Sequence, residues 1–300
     1  VTNIETAIAI SRINGAQISI PQKKRLLEIV GKGSSDVIPR GRMTRAESIH
    51  RKRAATADIL HGSIGRVLDY AKHETLRNLE RHSRASIQAA DAPPEGDEHT
   101  TEGDTPAARV TFNKDEFGKD LLGAIEADQV GALETAGQEL NDEIGREEPF
   151  KMPAKKTVDF LRHRQNLLSG VPDEIHKTIE NELAEGIDKR EPLKDLTKRI
   201  KNKFAEIYKG RGKVVADTET AAAYGYSRNQ AMKTAGIQRK KWLHSPLAKE
   251  PRPEHIAMSG KIVPFDEPFP TGDPPLMYPH DPNGAPGDVI NCHCISIPVE

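Results

Sequence analysis

Eleven prolines lie between positions 246 and 286, and they forbid a long helix there, because each lacks an amide proton and clashes with the preceding turn. The short apolar runs at 241–243, 261–265 and 289–299 therefore predict strands joined by long irregular loops. Alternation in the last run predicts Ile290, Cys292 and Cys294 on one face and Asn291, His293, Ile295 and Ile297 on the other. Upstream of Gly236 the apolar spacing is helical instead. Val158, Leu161, Leu167 and Leu168 lead to Gly170; Ile175, Ile179 and Leu183 to Gly186; Leu193, Leu196, Ile200, Phe204 and Ile207 to Gly210. An Ala-rich fourth helix follows over 214–236, and 112–145 has a helical rhythm broken by glycines, which predicts two helices. The fold class is α+β: a mostly helical part followed by a small C-terminal lobe of short strands and Pro-rich loops. Ile175, Ile179, Leu183, Leu196, Ile200 and Phe204 are the expected helical core, and Trp242, Phe265, Phe269, Tyr278 and Ile297 that of the lobe.

The net charge of -1 conceals segregation. Residues 22–53 hold ten Lys or Arg against three acids, while 91–105 hold six acids, no base and several Pro and Gly. So polar a segment cannot offset the entropy of ordering itself. Four regions result: a basic, weakly helical 1–90, striped by Ile59, Leu60, Ile64, Val67 and Leu68; an acidic flexible linker at 91–111; a helical bundle at 112–213; and the lobe at 214–300. With 36% apolar and 4% aromatic residues, a deep enzyme core along the whole length is not expected. No run approaches the roughly 20 apolar residues of a membrane span, and no leader pattern opens the chain. Two cysteines at 292 and 294 make no disulfide scaffold and fit a reducing compartment.

The Cys and His residues gather at one end: His244, His255, His280, Cys292, His293 and Cys294. Thiolate and imidazole are zinc's preferred ligands, which makes His255, His280, Cys292 and Cys294 a candidate structural metal set, although Cys-x-Cys is not a standard zinc knuckle. Read blandly, the thiols are small buried hydrophobes. Asp217, Glu219, His255, Asp266 and Glu267 can be drawn as an acid/base site, but no nucleophile motif, phosphate loop or His-Glu-x-x-His signature accompanies them, and no catalysis is expected. The basic stretches 23–53 and 198–213, the latter interleaving Phe204 and Tyr208 with Lys201, Lys203, Lys209, Arg211 and Lys213, suit nonspecific DNA contact or solvated helix faces.

Taken in order, Ala216-Asp217-Thr218-Glu219-Thr220, Arg228, Gly236, Lys241-Trp242, Arg252-Pro253-Glu254-His255, Gly260, Pro268-Phe269, Met277-Tyr278-Pro279 and Asn291-Cys292-His293-Cys294 closely resemble the ordered motifs of the phage Mu F-like minor head proteins, also called phage head morphogenesis proteins. The likeness covers residues 112–300 and is strongest after Lys213. Asp217 and His293 stand where the family usually has arginine, and Lys249 and Glu250 where it usually has an Asp before the Arg-Pro element. Thr218, Glu219, Arg228, Trp242, Arg252, His255, Tyr278 and Asn291 are the motif residues, of unknown role. The resemblance implies a low-copy internal virion protein at the portal vertex, present in the host cytoplasm during assembly and acting in procapsid assembly and DNA packaging or ejection. Its implied partners are the portal protein, scaffolding or major capsid protein, and packaged DNA, with no membrane. Residues 1–90 then suit an upstream portal-like fusion, and no length remains after Glu300 for the toxin cargo of some relatives. Two other readings are a metal-dependent hydrolase or toxin-like transferase using His255 and the Cys292/Cys294 strand, and a nonspecific DNA-binding accessory protein.

Overall fold

The computed structural model describes residues 45–90, 105–245 and 251–299. The basic arm before Arg45 and the acidic stretch 91–104 lie outside the described residues. The chain divides between Ser48 and Ile49, and the contacts below are those of the second unit.

Helix α1 (Arg45–Ala90) buries Leu60, Ile64, Leu68 and Ala71, an i, i+4, i+8, i+11 stripe, in the main apolar core. That core also takes Phe117, Leu121 and Ile125 of α3 (Lys114–Glu143), Ile175, Ile179 and Leu183 of α5 (Val171–Asp188), and Leu196, Ile200 and Phe204 of α6 (Leu193–Ile207). The six residues expected to form the helical core are all in it. Between α1 and α3, the one-turn helix α2 (Pro106–Val110) buries Ala107 and Val110 and is capped by the Thr105 hydroxyl, which accepts from the Ala108 amide at 3.1 Å. The acidic segment assigned as linker through residue 111 therefore ends in an ordered, capped turn.

Helix α3 is one helix, not two. Two of its glycines are notches: a Cβ at Gly137 would lie 2.1 Å from the Phe150 ring, and one at Gly118 3.4 Å from Pro172. Gly186 likewise does not stop α5, because it admits the Leu196 side chain, to which a Cβ would approach within 2.4 Å. Nor does Gly210 stop α6. A π-helical turn, Tyr208–Gly212, carries the chain into α7 (Lys213–Thr234), and His61 of α1 stacks on Tyr208 at 4.0 Å while donating from Nε2 to its carbonyl at 2.8 Å. Helix α4 (Ala154–Leu168) supplies Phe160 and Leu161 to a second cluster with Ala132, Leu133 and Ala136 of α3 and Ala222, Ala223 and Tyr224 of α7, where small side chains bring the helices close.

The lobe is a three-stranded antiparallel sheet in the order β2-β1-β3, with β1 (Arg239–Leu243) central, β2 (Ile262–Pro264) and β3 (Ile295–Val299). The short helices α8 (Pro253–Ala257) and α9 (Pro286–Val289) sit in its loops, each opened by proline in the first turn. Trp242, Val263, Phe269, Leu276, Val289, Cys292 and Cys294 form its core. Three expectations change here. The run 289–299 is not one strand: α9 ends at Val289, Asn291 takes a left-handed φ of 54°, and pairing begins only at Ile295, so both cysteines lie in a loop. Ile290 is exposed while Ile295 is buried, and Ile297 is only half-buried. Phe265 packs instead with Leu140 and Met232, and Tyr278 lies under α7 at Gly225.

Candidate functional site

Three loop segments converge inside the lobe. Helix α8 supplies His255, and the 291–294 loop brings both thiols to its ring, with Nδ1 3.5 Å from Cys292 Sγ and 3.7 Å from Cys294 Sγ. The three ligand atoms all lie within 4.8 Å of one another, and the residues are 2, 4 and 3% exposed. His280, held at a left-handed φ of 65° and 2% exposed, adjoins Cys292, and beyond that sulfur its ring nitrogens have no partner. The structure thus brings together three of the four residues singled out as ligands and sets the fourth beside them. The Cys294 thiol beside it, with His280 and His255 nearby, holds the Cys292 pKa well below the usual thiol range, and the Cys292 sulfur together with burial holds Cys294 above it. Burial lowers the His280 pKa.

A surrounding layer fixes the loop. Trp242, fully buried, stands edge-on to His255 and to Phe269, each at 5.2 Å. Arg252 donates to the carbonyls of Gly287 at 2.6 Å and Ile290 at 2.8 Å, and the Asn291 amide donates to Thr218 Oγ1 at 3.0 Å. From α1, Arg53 donates to the carbonyls of Cys294 at 3.2 Å and His293 at 3.0 Å. His50 lies one turn earlier, buried, with neither ring nitrogen bonded and its pKa pushed down to about 3 by burial and by Arg53.

The remaining motif residues join helices. Glu219 accepts a fork from Arg164 of α4, Nε at 2.8 Å with Nη2 on the other oxygen, and a bond from Gln129 of α3 at 2.7 Å. Arg228 holds Glu143 bidentately at 2.7 and 2.9 Å. Asp217 pairs with Lys213 at 3.1 Å, and Asp266 and Glu267 are exposed, so the carboxylates drawn from the sequence as an acid/base group occupy separate settings. Among the described residues, every motif side chain with a resolved partner serves to fasten a loop or pair two helices.

Residues 177–297 match the family model for Phage Mu protein F like protein. The chain carries a phage Mu F-like region. It spans the last two thirds of α5, then α6, α7 and nearly the whole lobe; it takes in every quoted motif but not residues 112–176, over which the likeness had also been expected. The chain is also 26% identical over 193 residues to uncharacterized protein YqbB of Bacillus subtilis (strain 168), a match covering 63% of each. The chain thus spans under two thirds of that relative's length. No solved structure matches the chain. Among the residues outside the Mu F-like region that bind or face it are His50 and Arg53 on α1, Gln129 and Glu143 on α3, and Arg164 on α4. Sequence reasoning missed all five. For Arg53, Gln129 and Arg164 the signal was an arginine or glutamine falling on the apolar face of a periodic helix.

Proposed function

We propose that this protein is a structural component of a phage head, low in copy and internal, which docks at the portal vertex during procapsid assembly. The Mu F-like match over 177–297 carries this reading. The chemistry of the motif residues supports a contact role. His255, Cys292 and Cys294 are closed off from solvent, and Glu219 and Arg228 are consumed by buried ion pairs, so none is presented to a substrate. Among the described residues no helix is long and apolar enough to cross a membrane.

A general DNA-binding role draws less support. Arg199 is paired with Glu182 at 2.9 Å and also with Glu191, Lys203 with Glu182 and Glu206 at 2.9 Å, and Arg211 with Glu174, so part of the basic stretch around α6 is neutralised by its neighbours. The test is fractionation of proheads and mature virions from an induced lysogen. The protein is expected to sediment with both and to copurify with portal oligomers; its absence from purified particles would overturn the reading.

A further inference from the structure

We propose that the lobe holds one structural Zn²⁺, bound by His255 Nδ1, the thiolates of Cys292 and Cys294, and a ring nitrogen of His280. In tetrahedral zinc with Zn–N near 2.05 Å and Zn–S near 2.3 Å, a nitrogen and a sulfur ligand stand about 3.5 Å apart. The two N–S separations at His255 are 3.5 and 3.7 Å. Hydrogen bonding alone accounts for this poorly, since a single Nδ1 offers one lone pair or one proton to two sulfurs that converge on it. It also leaves His280 buried with no ring-nitrogen partner beyond the adjoining Cys292 sulfur, an arrangement that costs free energy unless something binds what remains. A cation at the centre gives both sulfurs and one ring nitrogen of each histidine a partner.

The placement suits a staple. The ligands come from α8, the loop after Tyr278 and the loop before β3, three segments tied together by strands of only three to five residues. Lobes with so little regular structure are commonly held by metal. Four protein ligands, none more than 4% exposed, leave no open coordination position, which distinguishes a structural site from a catalytic one.

The test uses the full chain purified without chelator. Elemental analysis should find one zinc per chain. Exchange with Co²⁺ should give the sulfur-to-cobalt charge-transfer band and intense visible bands of a tetrahedral thiolate site. Cys292→Ser and Cys294→Ser should each abolish the band, and His280→Asn should weaken chelator-competed zinc affinity by more than about 100-fold, beyond the 10- to 100-fold cost of disturbing an outer-layer partner. Should the cysteine variants fail to fold, the cobalt spectrum of the unaltered chain decides. Metal-free protein that takes up no Co²⁺, with both thiols alkylated at a rate indifferent to added zinc, would overturn the proposal. Unchanged affinity in a folded His280→Asn would overturn the four-ligand site.

Discussion

The Arg53 guanidinium of α1 donates to the Cys294 carbonyl at 3.2 Å, across 241 positions of sequence. It also holds His293, so one arginine fastens the cysteine loop to a helix that lies outside the Mu F-like match.

Replacing Arg53 with methionine keeps the stem but strands two carbonyls in a buried site, each loss costing about 1–3 kcal/mol. Denaturant unfolding of Arg53→Met should show a loss of about 2–4 kcal/mol, and hydrogen exchange should quicken at residues 292–296. A fragment 112–300, lacking α1, should fail to unfold cooperatively. An unchanged midpoint in either would show that α1 is dispensable.

The Arg164–Glu219 fork is buried on both sides, with side chains 5% and 2% exposed. Leaving one charge without the other typically costs about 3–5 kcal/mol, whereas replacing both by apolar groups is often near neutral. Arg164→Met should therefore destabilise far more than Arg164→Met combined with Glu219→Leu, read from a double-mutant cycle of melting temperatures. Additive losses would contradict the coupling.

Two glycines of α3 should respond in opposite directions. Gly123 has nothing within 4 Å of where a Cβ would sit, so Gly123→Ala should stabilise by about 0.5–1 kcal/mol through helix propensity. At Gly137 the added methyl meets Phe150, and Gly137→Ala should destabilise by about 1–3 kcal/mol. Chemical unfolding of the pair checks both signs.

Glu139 has one carboxylate oxygen buried without a partner and only a 3.6 Å contact to Lys52, and burial pushes its pKa up to about 7. The unfolded chain releases this proton near 4.5, so folding takes up a proton between pH 4.5 and 7 and stability falls as pH rises through that window. Glu139→Gln should match the parent below pH 4.5 and exceed it above pH 7, by up to about 3 kcal/mol. Parallel thermal melts across that range would expose a wrong sign.

Periodicity made the helical core and the strand positions legible, and composition drew attention to the His and Cys residues. The errors share a physical cause. Gly137 and Gly186 look like helix stops in one dimension because a chain pattern cannot show that Phe150 and Leu196 need the space. The cysteines look like strand residues because Asn291's left-handed turn is set by Thr218 and Arg252 from elsewhere in the fold. Arg53, Arg164 and Gln129 were invisible as site residues because their partners lie 55 to 241 positions away.

The distance between Arg53 and its loop also bears on biosynthesis. As the chain leaves the ribosome, α1 emerges with Leu60, Ile64 and Leu68 along one side, while the carbonyls that receive Arg53 are made some 240 residues later. The apolar side is covered as Phe117 to Phe204 follow, but the Arg53 end waits for the last residues, so the tie between this helix and the cysteine loop is made only when synthesis is nearly complete.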